Sequence, residues 1–101
     1  MLKLYYALIA KRRYEDARRL RESSARAPSA AQFAANFDSY AEHYATIGTP
    51  SLVAEAGEWL YVEVPVQRYG KFRDGRTFAN AGTVTLRRRK SGGEWRIFTS
   101  G

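Results

Sequence analysis

Cysteine is absent from this chain of 101 residues, and histidine occurs once, as His43. No disulfide framework can staple the fold and no thiolate can bind a metal, so redox conditions do not restrict where the protein works. Long apolar runs are missing too. The stretch 2–10 is apolar but well short of the roughly 20 residues a bilayer span needs, and basic residues follow it where a secretory signal would carry them in front. Neither a membrane span nor a targeting segment is expected; the chain as given reads as cytoplasmic, or as periplasmic if a signal or anchor preceded Met1. Repeats and low-complexity tracts are absent, no catalytic or metal-ligand spacing stands out, and no cofactor is expected.

Acidic residues are scarce, 10 against 17 Lys and Arg, which leaves a net charge of +7. Such a balance invites a nucleic-acid reading, since phosphates are met mainly by Lys and Arg. The distribution argues against it. In the basic stretch 11–26, Glu15, Asp16 and Glu22 stand at spacings suited to intrahelical pairs, which reads as solvated helix surface. The run Arg87-Arg88-Arg89-Lys90 falls on a strand, where side chains alternate between faces. The aromatic residues occupy core and sheet positions instead of standing between basic residues as a stacking platform, so no specific nucleic-acid partner is expected.

The region 59–90 reads as one long β-hairpin, with β-branched and aromatic residues alternating with polar ones on both sides of an Asp-Gly turn signal. Register decides which side chains face inward, because a slip of one residue exchanges the faces. A three-residue loop, Arg73-Asp74-Gly75 with Gly75 left-handed, sets Val64 opposite Val84 and Val62 opposite Leu86. One face is then Leu60, Val62, Val64, Val66, Val84 and Leu86, the core; the other carries Trp59, Tyr61, Glu63, Pro65, Thr83, Thr85, Arg87 and Arg89. Arg68 falls opposite Asn80 on the core face.

Upstream, Leu2, Tyr5, Leu8 and Ile9 have amphipathic helical spacing, with a bend or restart near Arg12 before Tyr14, Ala17 and Leu20. A loop is expected over 22–28. Ser29 with Gln32 forms a capping box that opens a second long helix, where Phe33, Phe37, Tyr40, Ala41 and Tyr44 make one stripe before Gly48 and Pro50 end it. Short strands are expected at 51–56 and 95–99. The order is α+β: two to three N-terminal helices packed on a curved four-stranded antiparallel sheet, one domain over residues 1–101.

Tyr5-Tyr6 and the run from Arg13 to Leu20, then Val62-Glu-Val-Pro-Val66, Gly82-Thr-Val-Thr-Leu-Arg-Arg88 and Trp95-Arg-Ile97, make the chain resemble the nuclear transport factor 2-like superfamily. Its cone-shaped fold is shared with SnoaL-like polyketide cyclases and ketosteroid isomerase, and the likeness is greatest to small bacterial domains of unassigned activity. The resemblance implies a curved sheet round helices, an interior pocket, and frequent dimerisation through the outer sheet face. It implies no particular chemistry, since a fold hosts many activities.

Within such a cone, Arg68 and Asn80 lie towards the mouth under Tyr40 and Tyr44, where a cation beside an amide can hold a small apolar or anionic ligand. The expected carboxylates face elsewhere: Glu63 outward, Asp38 and Glu42 on the polar side of their helix, and Glu58 at the rim against Lys90. His43 sits at the edge of the aromatic stripe on the side of Asn36. The leading expectation is a non-catalytic ligand-binding or protein-interaction module with ligand residues Tyr40, His43, Tyr44, Arg68 and Asn80. The alternative is a small lyase or isomerase with His43 as base. A homodimer through Trp59, Tyr61, Glu63, Thr83, Thr85 and Arg87 is expected from the aromatic outer face.

Overall fold

The computed structural model describes residues 1–23 and 27–100. Three short helices, α1 (Leu2–Ala10), α2 (Tyr14–Arg18) and α3 (Ala30–Ala35), precede five strands: β1 (Tyr40–Ile47), β2 (Ala54–Ala56), β3 (Trp59–Phe72), β4 (Thr77–Arg89) and β5 (Gly92–Ser100). The sheet order is β1-β3-β4-β5, with β2 also paired to β3, and the antiparallel sheet curls into a half-barrel. Among the described residues, no helix is long and apolar enough to cross a membrane.

The β3–β4 hairpin adopts the register that its side-chain pattern requires: Val64 pairs with Val84, Val62 with Leu86 and Arg68 with Asn80. Gly75 takes a φ of 90° in the three-residue loop, and its N–H donates to the carbonyl of Phe72 at 3.0 Å. Val64, Val66 and Val84 are buried with Ile97 of β5, while Val62 and Leu86 pack on the margin of this core. Full burial of each aliphatic side chain stabilises by roughly 1.5–3 kcal/mol.

Leu2, Tyr5, Tyr6 and Ile9 give α1 one buried face. The restart expected near Arg12 occurs there, at a φ of 62°, and Arg12 Nη2 then reaches the carbonyl oxygen of Ala41 at 3.1 Å. The expected loop over 22–28 lies partly outside the described residues. On its near side Leu20, Arg21 and Glu22 run parallel beside β5: Ile97 N–H donates to Leu20 O at 3.0 Å, and Glu22 N–H to Ile97 O at 2.8 Å.

The capping box at Ser29 forms, with Gln32 N–H donating to Ser29 Oγ at 3.2 Å and Ser29 N–H to Gln32 Oε1 at 2.9 Å. The helix it opens is short. It ends at Ala35, and residues 40–47, expected to be helical, form β1 against the far half of β3. Aromatic and β-branched residues crowd Tyr40, Tyr44, Thr46 and Ile47, and the long β3 offers an unpaired edge that only a strand can satisfy. The sheet accordingly has five strands where four were expected. The expected stripe is also split by a bulge: Tyr40 pairs with Phe72 and Glu42 with Lys71, so Ala41 is an extra residue. It resets the alternation of faces.

Candidate functional site

The bulge sets the geometry of the site. With Ala41 unpaired, Tyr40 and His43 both face the interior, while Tyr44 faces the opposite side of the sheet, paired with Tyr69 at 5.6 Å between ring centroids. Tyr44 is 40% exposed, and it borders an outer-face cleft with Glu42, Lys71 and Ala79. Inside the half-barrel, Tyr40, His43, Arg68 and Asn80 line one cavity of about 250 Å³ with Tyr5, Tyr6, Ile9, Asn36, Phe37 and Ser100. Four of the five expected ligand residues therefore meet, and Tyr44 lies outside.

His43 is 7% exposed and caged by rings: Tyr40 at 5.0 Å, Phe37 at 5.4 Å, Phe78 at 5.6 Å and, parallel to it, Tyr6 at 6.3 Å. Its Nδ1 is sealed from solvent and makes no hydrogen bond among the described residues. Burial holds its pKa below the ordinary histidine value and the positive charge of Arg68 lowers it further; contact with its own main chain opposes the shift without cancelling it. The imidazole is neutral at pH 7.

Arg68 is anchored at the wall, Nε donating to Tyr6 Oη and Nη1 to Asn80 Oδ1, each at 3.3 Å. The cross-strand pairing of Arg68 with Asn80 makes the second bond, and α1 brings Tyr6 for the first. Deeper in the wall, Tyr5 Oη accepts from Arg21 Nη1 at 3.1 Å; burial raises the Tyr5 pKa, and Arg21 counters in part. Among the described residues no carboxylate lines the cavity, and no cluster of His, Cys, Asp or Glu is arranged to hold a metal ion.

Neither Tyr6 nor Phe78 was expected from the sequence as a residue of the site. Phe78 was within reach, since it lies two residues from Asn80 on the strand and so shares its face. Tyr6 sits four residues beyond Leu2, on the helical face, but nothing in its spacing marks it as the partner of Arg68.

At the Trp59 end the outer sheet face is engaged within the chain. Arg87 Cζ lies 3.7 Å from the Trp59 ring centroid and 3.8 Å from that of Phe98. The same guanidinium donates to Tyr61 Oη at 3.3 Å and binds both carboxylate oxygens of Glu22. Of the six residues expected at a dimer interface, Trp59, Tyr61, Thr85 and Arg87 are half-buried, and Glu63 and Thr83 are exposed. The rim pair differs from expectation as well: Glu58 binds Arg89 at 3.1 Å, and Lys90 binds Glu55 at 3.0 Å. Glu58 meets Lys90 only through the main chain. Compared with protein-family models and with curated proteins, the chain matches none.

Proposed function

We propose that the protein is a non-catalytic binding module whose cavity holds a small, flat molecule with a polar or anionic end. In this reading the half-barrel is a nuclear transport factor 2-like cone and the cavity its interior pocket. The observation that carries it is His43, a neutral imidazole more than nine-tenths buried, in the wall of a cavity. With Nδ1 covered, only the opposite edge of the ring can meet a ligand, and a neutral imidazole there forms a hydrogen bond without a charge to desolvate. Tyr6, Phe37 and Tyr40 supply flat apolar walls. Arg68 and Asn80 supply polar groups held in place by their own hydrogen bonds. At about 250 Å³ the cavity falls below the roughly 300–1,000 Å³ of sites for drug-sized ligands, so the occupant is a single ring or a short chain.

The neighbourhood of Asn36, Tyr6 and Tyr40 also favours the second reading, proton transfer by His43 in a lyase or isomerase. A catalytic imidazole is normally oriented through its other nitrogen, and its pKa lies near the working pH. The sealed Nδ1 has no orienting partner and the pKa is depressed, so binding is preferred. NMR titration with benzoate and with benzamide tests this. Saturable shifts at Tyr6, His43 and Asn80 are expected, and an interior silent to both probes contradicts the proposal.

A further inference from the structure

Outside the cavity, Arg18, Arg19, Arg21 and Arg96 converge on a pit of about 520 Å³ completed by Glu22, Ser23, Ala27 and Pro28. Cations gathered on one concavity repel unless each is matched. Arg18 is matched, bound by Glu15 at 2.9 and 3.1 Å. The others are not. Arg19 reaches Glu15 only at 3.8 Å and Asp16 at 3.7 Å, with its side chain 70% exposed. Arg21 bonds the neutral hydroxyls of Tyr5 at 3.1 Å and Ser100 at 3.4 Å. Arg96 donates to the carbonyl of Arg19 at 2.6 Å and reaches Glu94 only at 3.7 Å. Glu22, the one acidic residue lining the pit among the described residues, gives both oxygens to Arg87.

We propose that this pit binds the phosphate end of a small phosphorylated molecule. Three guanidinium forks that, among the described residues, have no carboxylate within hydrogen-bond distance suit a multiply charged tetrahedral anion better than a carboxylate, since each fork can donate two parallel hydrogen bonds. The bonds of Arg21 and Arg96 to neutral acceptors fix their direction without cancelling their charge. Nucleic acid fits poorly. Among the described residues the lining holds no aromatic ring on which a base can stack.

Inorganic pyrophosphate, titrated at constant ionic strength and followed by NMR, is the probe, with phosphatidylcholine vesicles containing phosphatidic acid as a second arm. Saturable pyrophosphate binding is expected, with shifts confined to Arg19, Arg21, Ser23 and Arg96. Arg19→Gln and Arg96→Gln should each weaken it about tenfold, the loss of one charge-assisted hydrogen bond. Arg76→Gln, which removes the same charge at the hairpin tip, should leave it unchanged. Vesicle binding without pyrophosphate saturation, if lost in the same two variants, assigns the phosphate to a lipid headgroup and overturns the soluble ligand. Shifts spread over Arg13, Arg73 and Arg76, equal weakening in all three variants, or no binding in either arm overturns the site.

Discussion

Glu22 and Arg87, 65 residues apart in sequence, join in a two-oxygen ion pair on the outer face of the sheet, with the guanidinium clasped between the rings of Trp59 and Phe98. The side chains are only 24% and 15% exposed, so solvent screens the pair less than a surface salt bridge. It ties the segment after α2 across the edge of β5 to the C-terminal end of β4. Hydrogen bonds from Arg87 hold the Glu22 carboxyl below its ordinary pKa of 4.5, partly against the cost of burial. The contribution to stability is therefore complete above pH 4.5 and is lost as pH falls through the lower folded-state value.

Glu22→Gln keeps the shape of the side chain and removes its charge. Urea denaturation at pH 7 should show a loss of about 2 kcal/mol, the scale of a hydrogen bond to a charged group. Below the folded-state pKa the wild-type carboxyl is itself protonated, so the two proteins should converge. A constant difference between them from pH 7 down to pH 3 contradicts the role assigned to the pair.

Gly70 lies opposite His43 with a φ of 154°, and a Cβ added there would stand 2.1 Å from the carbonyl oxygen of Glu42. That obstacle is main chain and cannot swing aside. Gly70→Ala should destabilise by about 3 kcal/mol or more and push β1 away from β3, which removes Tyr40 and His43 from the cavity wall. Hydrogen exchange should report it as lost protection along 40–46 with little change between Val62 and Leu86. Unaltered protection in β1 would show that the close approach does not matter.

A neutral imidazole among four rings predicts an acid-side instability. Because the folded-state pKa of His43 is depressed, the unfolded chain binds the proton more readily. Stability is full above pH 6.5 and falls as pH drops from there towards the folded-state value. His43→Phe removes the titrating group and the unpaired Nδ1, so its stability should vary less between pH 7 and pH 5, with a change at pH 7 within about 1.5 kcal/mol for a swap of this kind. An unshifted His43 titration curve in wild-type protein would dismiss this account.

The hairpin was legible because its information is local. Gly75 fixes the loop length, the alternation from Leu60 to Val66 fixes the inward face, and the pairing of Arg68 with Asn80 follows by counting. The stretch 36–47 was not legible. Phe33, Phe37, Tyr40 and Tyr44 stand at helical intervals although the last two belong to a strand, where the bulged residue Ala41 turns them to opposite faces. Whether β1 forms depends on the open edge of β3, a tertiary fact absent from the local pattern. The misreading carried into the site: it placed Tyr44 beside Tyr40 and put His43 at the edge of the stripe instead of inside the cage.

Arg68→Leu separates charge from shape at the cavity wall. Leucine keeps an apolar stem over the core, while the guanidinium and its bonds to Tyr6 and Asn80 are lost. Benzoate should bind at least about tenfold more weakly, the lower end for losing a hydrogen bond to a charged group of roughly 1.5–3 kcal/mol, and benzamide should change little. The same variant carries an internal check. Arg68 is the second cause of the depressed His43 pKa, so removing it should move that pKa upward, yet still below 6.5 because burial, the larger cause, remains. A raised His43 pKa with equal losses for both probes would mean that Arg68 reaches the imidazole electrostatically without contacting the anion. An unmoved pKa would mean that the guanidinium does not act on His43 at all.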